Sequence, residues 1–160
     1  KKAEKLGLQL YITDVESEDF ACFWSILTEV LTSRHKVSPV HSLAEIRLLA
    51  KLFPTEIEPV LLKDEAGVRG GCVLFLSAQV MHVQYISADE VGRKSGALDL
   101  LFSHLIQKAI QRGFRYLDFG ISTENGGEYL NEGLEFQKEG FGGRGICYDA
   151  YEFSLSNPKA

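Results

Sequence analysis

Residues 116–151 read YLDFGISTENGGEYLNEGLEFQKEGFGGRGICYDAY. Residues 116–119 have the apolar content of a short buried strand. That strand runs into a polar loop, Ser122, Thr123, Glu124 and Asn125, which Gly126 and Gly127 free to turn. Leu130, Leu134 and Gln137 follow at helical spacing, so a helix is expected over 127–137 with Asn131 and Glu132 early in it. A turn, KEGFGGR (138–144), leads to an expected last strand over 146–155. Polar side chains between a buried strand and a helix are costly unless they are exposed in a site.

Outward from that stretch, the pattern is mixed. A basic helix end (1–6) is stopped by Gly7, and Leu8, Leu10 and Ile12 alternate as in a half-buried strand. Phe20, Phe23, Trp24, Leu27, Val30 and Leu31 mark a helix that ends near Arg34 and His35. Ser42 with Glu45 three residues later predicts a capping box, and Ile46, Leu49 and Phe53 line the helix it starts. Strands are expected over 58–63, 68–77 and 80–88, then a polar loop over 89–94 and a helix over 95–112 closed by Gly113. The expected class is α+β in layers: a mixed, mostly antiparallel sheet with helices on both faces.

The 160 residues, 45% hydrophobic, suit one domain with one core. A net charge of −5 argues against gripping DNA by charge alone. No apolar run approaches the roughly 20 residues that span a bilayer. Cys22, Cys72 and Cys147 are widely separated and odd in number. They read as reduced, mostly buried thiols of a cytoplasmic protein, with a thiol nucleophile as the sharper alternative. No Cys/His spacing suggests a metal.

Three candidate regions carry chemistry. In the first, Glu90-Val-Gly-Arg-Lys-Ser-Gly-Ala97, a glycine-bearing turn opens a helix whose N–H groups and dipole suit an anion. Gly92, Arg93, Lys94, Ser95, Gly96 and Ala97 are its binding candidates, with Ile86 and Ser87 from the strand before; the bland alternative is a helix capped by Ser95. In the second, on strand 80–88, simple alternation puts His82, Gln84 and Ile86 on one face and Val83, Tyr85 and Ser87 on the other. His82 or Tyr85 could move a proton, or each could be a satisfied residue of the sheet; His35, His41 and His104 have weaker claims. The third is the opening stretch. Asp118 reads as paired within the sheet, Glu124 as a base or amine anchor, and Ser122, Asn125 and Asn131 as substrate contacts.

A meander followed by strand–helix–strand resembles the GNAT acyltransferases. Their coenzyme A pyrophosphate pattern (Gln or Arg, two residues, Gly, one residue, Gly or Ala) is matched at Arg93 and Gly96 and missed at Leu98. Lys138, Phe141 and Gly142 resemble a phrase of the FemABX-like branch, which implies that Lys138 stabilises the oxyanion at the reacting carbonyl. Ala3, Gly7 and Leu8 resemble the lead-in to the second of that branch's tandem halves, which implies a missing N-terminal half. The phrases PVHS (39–42), HVQY (82–85), DFGIS (118–122) and NEGL (131–134) resemble GNAT-like proteins of bacterial surface-polysaccharide loci. The resemblance therefore implies transfer of an acyl or aminoacyl group from acyl-coenzyme A or aminoacyl-tRNA to an amine of a glycan or cell-wall precursor. It also implies a second GNAT-like half or a homodimer as partner. The other reading is a non-catalytic binding module on the same scaffold, with Phe141 and Tyr148 meeting a partner.

Overall fold

A computed structural model of the chain describes residues 2–153. They fall into two compact units, divided between Ile121 and Ser122. The first contains α1 (Lys2–Lys5), β1 (Gln9–Ile12), α2 (Glu18–Val30), α3 (Leu43–Leu52), β2 (Ile57–Asp64), β3 (Gly67–Leu76), β4 (Val80–Ala88), α4 (Glu90–Ser95), α5 (Ala97–Gln111) and β5 (Tyr116–Asp118). The second contains β6 (Thr123–Glu124), β7 (Tyr129–Leu130) and α6 (Glu132–Gly140).

The first unit is built on one sheet in the order β1-β2-β3-β4-β5. β1 to β4 are antiparallel neighbours, and β5 pairs with β4 in parallel. This is the expected mixed, mostly antiparallel sheet. Register separates its faces. Ile57↔Phe75 and Pro59↔Val73 share one face, and Glu58↔Leu74 and Val60↔Cys72 share the other. The first face carries the core of Leu61, Val73 and Tyr85 under Phe20, Phe23, Trp24 and Leu27 of α2 and Ile46 of α3. α5 lies against β3, β4 and β5. It is fastened on the second face, where Glu58 holds Lys108 at 2.5 Å and Arg112 at 3.0 Å.

Local signals explain most of these boundaries. Ser17 caps α2 by accepting from Phe20 N at 3.1 Å. The Ser42–Glu45 capping box forms in full, 3.2 Å one way and 2.7 Å the other. Two expectations are corrected here. The polar loop expected over 89–94 is largely the short helix α4, because the Asp89 side chain accepts from Gly92 N at 2.6 Å and nucleates a turn. Among the cysteines only Cys72 is buried; Cys22 and Cys147 are exposed. Burial pushes the Cys72 thiol far up, which removes it as a nucleophile at neutral pH.

Replacing Ser42 by Ala should cost about 1 kcal/mol, read as a lower urea midpoint with unchanged slope. The Ser42 backbone N–H holds the Glu45 carboxyl below its usual range. Its stabilisation is therefore fully present above the unfolded-state pKa of about 4.3 and lost as pH falls below it. Glu45→Gln should flatten the acid side of the stability profile.

Candidate functional site

The site begins where β4 loses its parallel neighbour. Pairing runs Val80↔Tyr116, Met81↔Leu117, His82↔Asp118 and stops, while β4 continues to Ala88. Beyond His82, that edge of β4 has no strand partner among the described residues.

A bulge lies at the same place. Val73 pairs with Tyr85 and Leu74 with Val83, which leaves Gln84 as the extra residue. The alternation read from the sequence is corrected by it. Since Phe75↔His82 and Val73↔Tyr85, His82 and Tyr85 stand on the same face of the sheet, not on opposite faces. His82 Nδ1 lies 2.8 Å from Asp118 Oδ2, and the other Asp118 oxygen accepts from Gly120 N at 2.8 Å. A carboxylate oxygen accepts, so this contact calls for a hydrogen on Nδ1. Gln84 Oε1 lies 3.1 Å from Nε2, an acceptor that suits the ring once Nε2 also carries a hydrogen. Gly120 has φ +76°, and a Cβ there would lie 3.8 Å from His82 Cε1, so a glycine suits the chain's turn past the imidazole.

Tyr85 is 7% exposed and is tied into the core rather than presented to solvent. Its hydroxyl lies 2.6 Å from His41 Nδ1, and its ring packs T-shaped with Trp24, centroids 5.1 Å apart. The sequence rated His41 low because its partner is 44 positions away. Only its place beside the helix-capping Ser42 hinted that it would be held.

The Asp89–Ala97 region is more internally satisfied than its glycines suggest. Gly92 is buried, and a Cβ there would come within 2.6 Å of Arg69 O. Arg93 donates to Ala88 O at 2.5 Å, Lys94 to Glu90 at 2.6 Å, and Ser95 Oγ to Val91 O at 2.7 Å. The alternative of a Ser95 cap does not form; Gly96, left-handed (φ +78°), joins α4 to α5 with no side-chain cap. Ala97 is fully buried, and Ile86 pairs with Cys72 on the α5 face. Ser87 Oγ is buried and has no hydrogen-bond partner among the described residues.

In the second unit the candidates form one network. Lys138 Nζ donates to Ser122 Oγ at 3.1 Å, Asn131 N to Ser122 O at 2.8 Å, and Asn131 Nδ2 to Glu124 at 2.7 Å. Asn125 is left-handed (φ +51°) in the turn between β6 and β7. Two corrections belong here. Asn131 is not within the helix but caps it, accepting from Leu134 N at 3.0 Å, so α6 begins only at Glu132. The strand expected over 146–155 does not form in residues 146–153, where no neighbouring strand offers a ladder; 154 and 155 lie outside the described residues. Among the described residues no His/Cys/Asp/Glu group could hold a metal ion. None of the described helices is long and apolar enough to cross a membrane.

The sequence profile of the acetyltransferase (GNAT) domain matches residues 1–129. A search of curated protein sequences gives no match. Solved structures share the fold. A possible acetyltransferase from Clostridium difficile 630 superposes with a TM-score of 0.71 at 9% identity, covering 94% of this chain and 99% of its own. A ribosomal-protein-alanine N-acetyltransferase from Brucella melitensis biovar Abortus 2308 gives 0.62 at 13% identity, with 93% and 99% covered. AAC(6')-Iy, in complex with the bisubstrate analogue CoA-S-monomethyl-acetylneamine, gives 0.63 at 11% identity, with 93% and 99% covered.

The His82–Asp118 contact makes a direct prediction. Nitrogen NMR of the neutral ring should show hydrogen on Nδ1. Asp118→Asn should release that tautomer preference, and an unchanged spectrum would mean the carboxylate does not set it.

Proposed function

The chain belongs to the acetyltransferase (GNAT) domain family, and from that premise we propose that it moves an acyl group from acyl-coenzyme A to a primary amine. The observation that carries the proposal is the end of β4–β5 pairing at His82, with an oriented imidazole on the spot. An amine must lose a proton as its nitrogen bonds to the thioester carbonyl carbon and the C–S bond breaks. His82 Nε2 takes that proton, and Asp118 holds the ring and offsets the charge it gains. The β4 edge beyond His82 suits a ligand that carries amide groups, which can add to it as a strand would. Arg93, Lys94 and the first N–H groups of α5 are the candidates for its diphosphate. The buried, partnerless Ser87 Oγ beside this edge fits a polar ligand better than an apolar one. When bound, acyl-coenzyme A supplies the activated carbonyl.

Three finer assignments rest on the sequence resemblance alone. They are the FemABX-like branch, an acceptor on a surface-polysaccharide or cell-wall precursor, and oxyanion stabilisation by Lys138. Aminoacyl-tRNA is the weaker donor, since the chain carries a net charge of −5. One observation favours the non-catalytic reading: Gly92 N and Gly96 N are already engaged by Asp89 and Arg93 within the loop.

A thermal-shift titration separates the two readings. Acetyl-coenzyme A at 100 times its dissociation constant should stabilise the fold by about 2.7 kcal/mol, and Gly96→Glu should abolish the shift. No shift at any concentration would leave the binding-module reading. In turnover assays His82→Gln should lower kcat/KM by roughly 10²–10⁴-fold. Lys138→Ala should cost about 10²-fold in kcat with the melting temperature retained; full activity would take the lysine out of the mechanism.

A further inference from the structure

Both ring nitrogens of His82 face an oxygen. Nδ1 lies 2.8 Å from Asp118 Oδ2, and Nε2 lies 3.1 Å from Gln84 Oε1. A neutral imidazole carries one N–H and an imidazolium carries two. Only the doubly hydrogenated ring satisfies both oxygens at once. A neutral ring with its hydrogen on Nδ1 would set the Nε2 lone pair against the Gln84 oxygen, and two acceptors repel. The arrangement is therefore the one that suits His82 after it has received a proton.

Gln84 has a means of meeting both states of the ring. A carboxamide is an acceptor at one end and a double donor at the other, and a half-turn about its last bond exchanges the two. The His82 ring is the one hydrogen-bond partner of the Gln84 side chain among the described residues, and the side chain is half-buried, so no second bond holds the amide against turning. The backbone brings it there. Gln84 is the residue that β4 carries in excess of β3, so no β3 residue stands opposite it in the ladder. In an unbroken strand the side chains at 82 and 84 would stand parallel, about 7 Å apart. A bulge bends the strand and re-aims the side chain it carries. The groups that face the ring from other elements are fixed by comparison. Asp118 of β5 brings a carboxylate whose second oxygen accepts from Gly120 N at 2.8 Å, and the pairing partner of His82 on β3 is Phe75, which carries no charge.

We propose that Gln84 is a positioning residue that follows the proton on His82. Its carbonyl holds Nε2–H when the ring is charged, and its amide N–H holds the Nε2 lone pair when the ring is neutral. In the transfer proposed above, the acceptor amine displaces the amide from Nε2 and gives the ring its proton. Gln84 Oε1 then takes up Nε2–H until the proton passes to solvent, and the amide turns back. That sequence rests on the transfer; the turning of the amide does not.

Nitrogen–proton NMR of the Gln84 side chain tests it. The two Gln84 amide protons should shift across the titration of His82, with the same midpoint as the ring nitrogens. In His82→Ala they should hold still over that range. In the charged ring of the unaltered protein the Nε2–H proton should give a sharp resonance, protected from exchange by Gln84 Oε1. Gln84→Met, which keeps the length of the side chain and removes both ends of the amide, should lose that resonance with the melting temperature retained. Gln84→Glu, which keeps an oxygen, should restore it. Gln84 protons blind to the ring, or an Nε2–H resonance unchanged in Gln84→Met, overturn the proposal. The two readings fail separately. An acetyl-coenzyme A thermal shift with blind Gln84 protons keeps the transfer and sinks the turning amide. Coupled Gln84 protons without that thermal shift keep the turning amide and sink the transfer.

Discussion

Opposite Val73 and Leu74, strand β4 spends one residue more than β3, and the extra residue is Gln84. That bulge twists β4 locally and resets its alternation. It turns His82 to the face that also carries Tyr85, and it brings the Gln84 amide within 3.1 Å of the imidazole. β5 pairs with β4 only as far as His82, so the bulge and the end of the ladder nearly coincide. The catalytic reading and the ligand edge both depend on this short stretch of backbone.

The far end of β4 is held by charge. Arg69 donates to Asp64 at 2.8 Å and to Asp89 at 3.3 Å, tying the β2–β3 turn to the start of α4. The hydrogen bond from Arg69 keeps the Asp64 carboxyl below the usual range. Gly92 then lies against Arg69 O too closely for any side chain. On the other face Glu58 pins Lys108 and Arg112, so α5 is fixed against β2 as well as packed by its apolar stripe. These contacts decide where the α4–α5 junction sits relative to the β4 edge. A loop that grips an anion must be placed before it can be charged.

The family match covers residues 1–129, which hold the whole five-stranded sheet and its bulge. Neighbours at 9–13% identity share the sheet, and that likeness shows the fold alone.

Much of the fold was legible because its signals are local. The Phe20–Leu27 stripe, the Ser42–Glu45 box and strand β4 follow from spacing and capping within a few residues. His82 was legible as a candidate, and Asp118 as paired in the sheet. What alternation could not foresee was the bulge, since nothing in HVQY marks Gln84 as the residue without a partner; that depends on the register with β3. The His41–Tyr85 contact was equally out of reach, because it joins residues from separate elements. Over residues 146–153 spacing predicted a strand that did not form, for a strand exists only when another offers it a ladder. The sequence alone determined which segments could be helix or strand and which side chains carried chemistry. Tertiary structure decided which of those side chains met, because facing and proximity are set by pairing between distant segments.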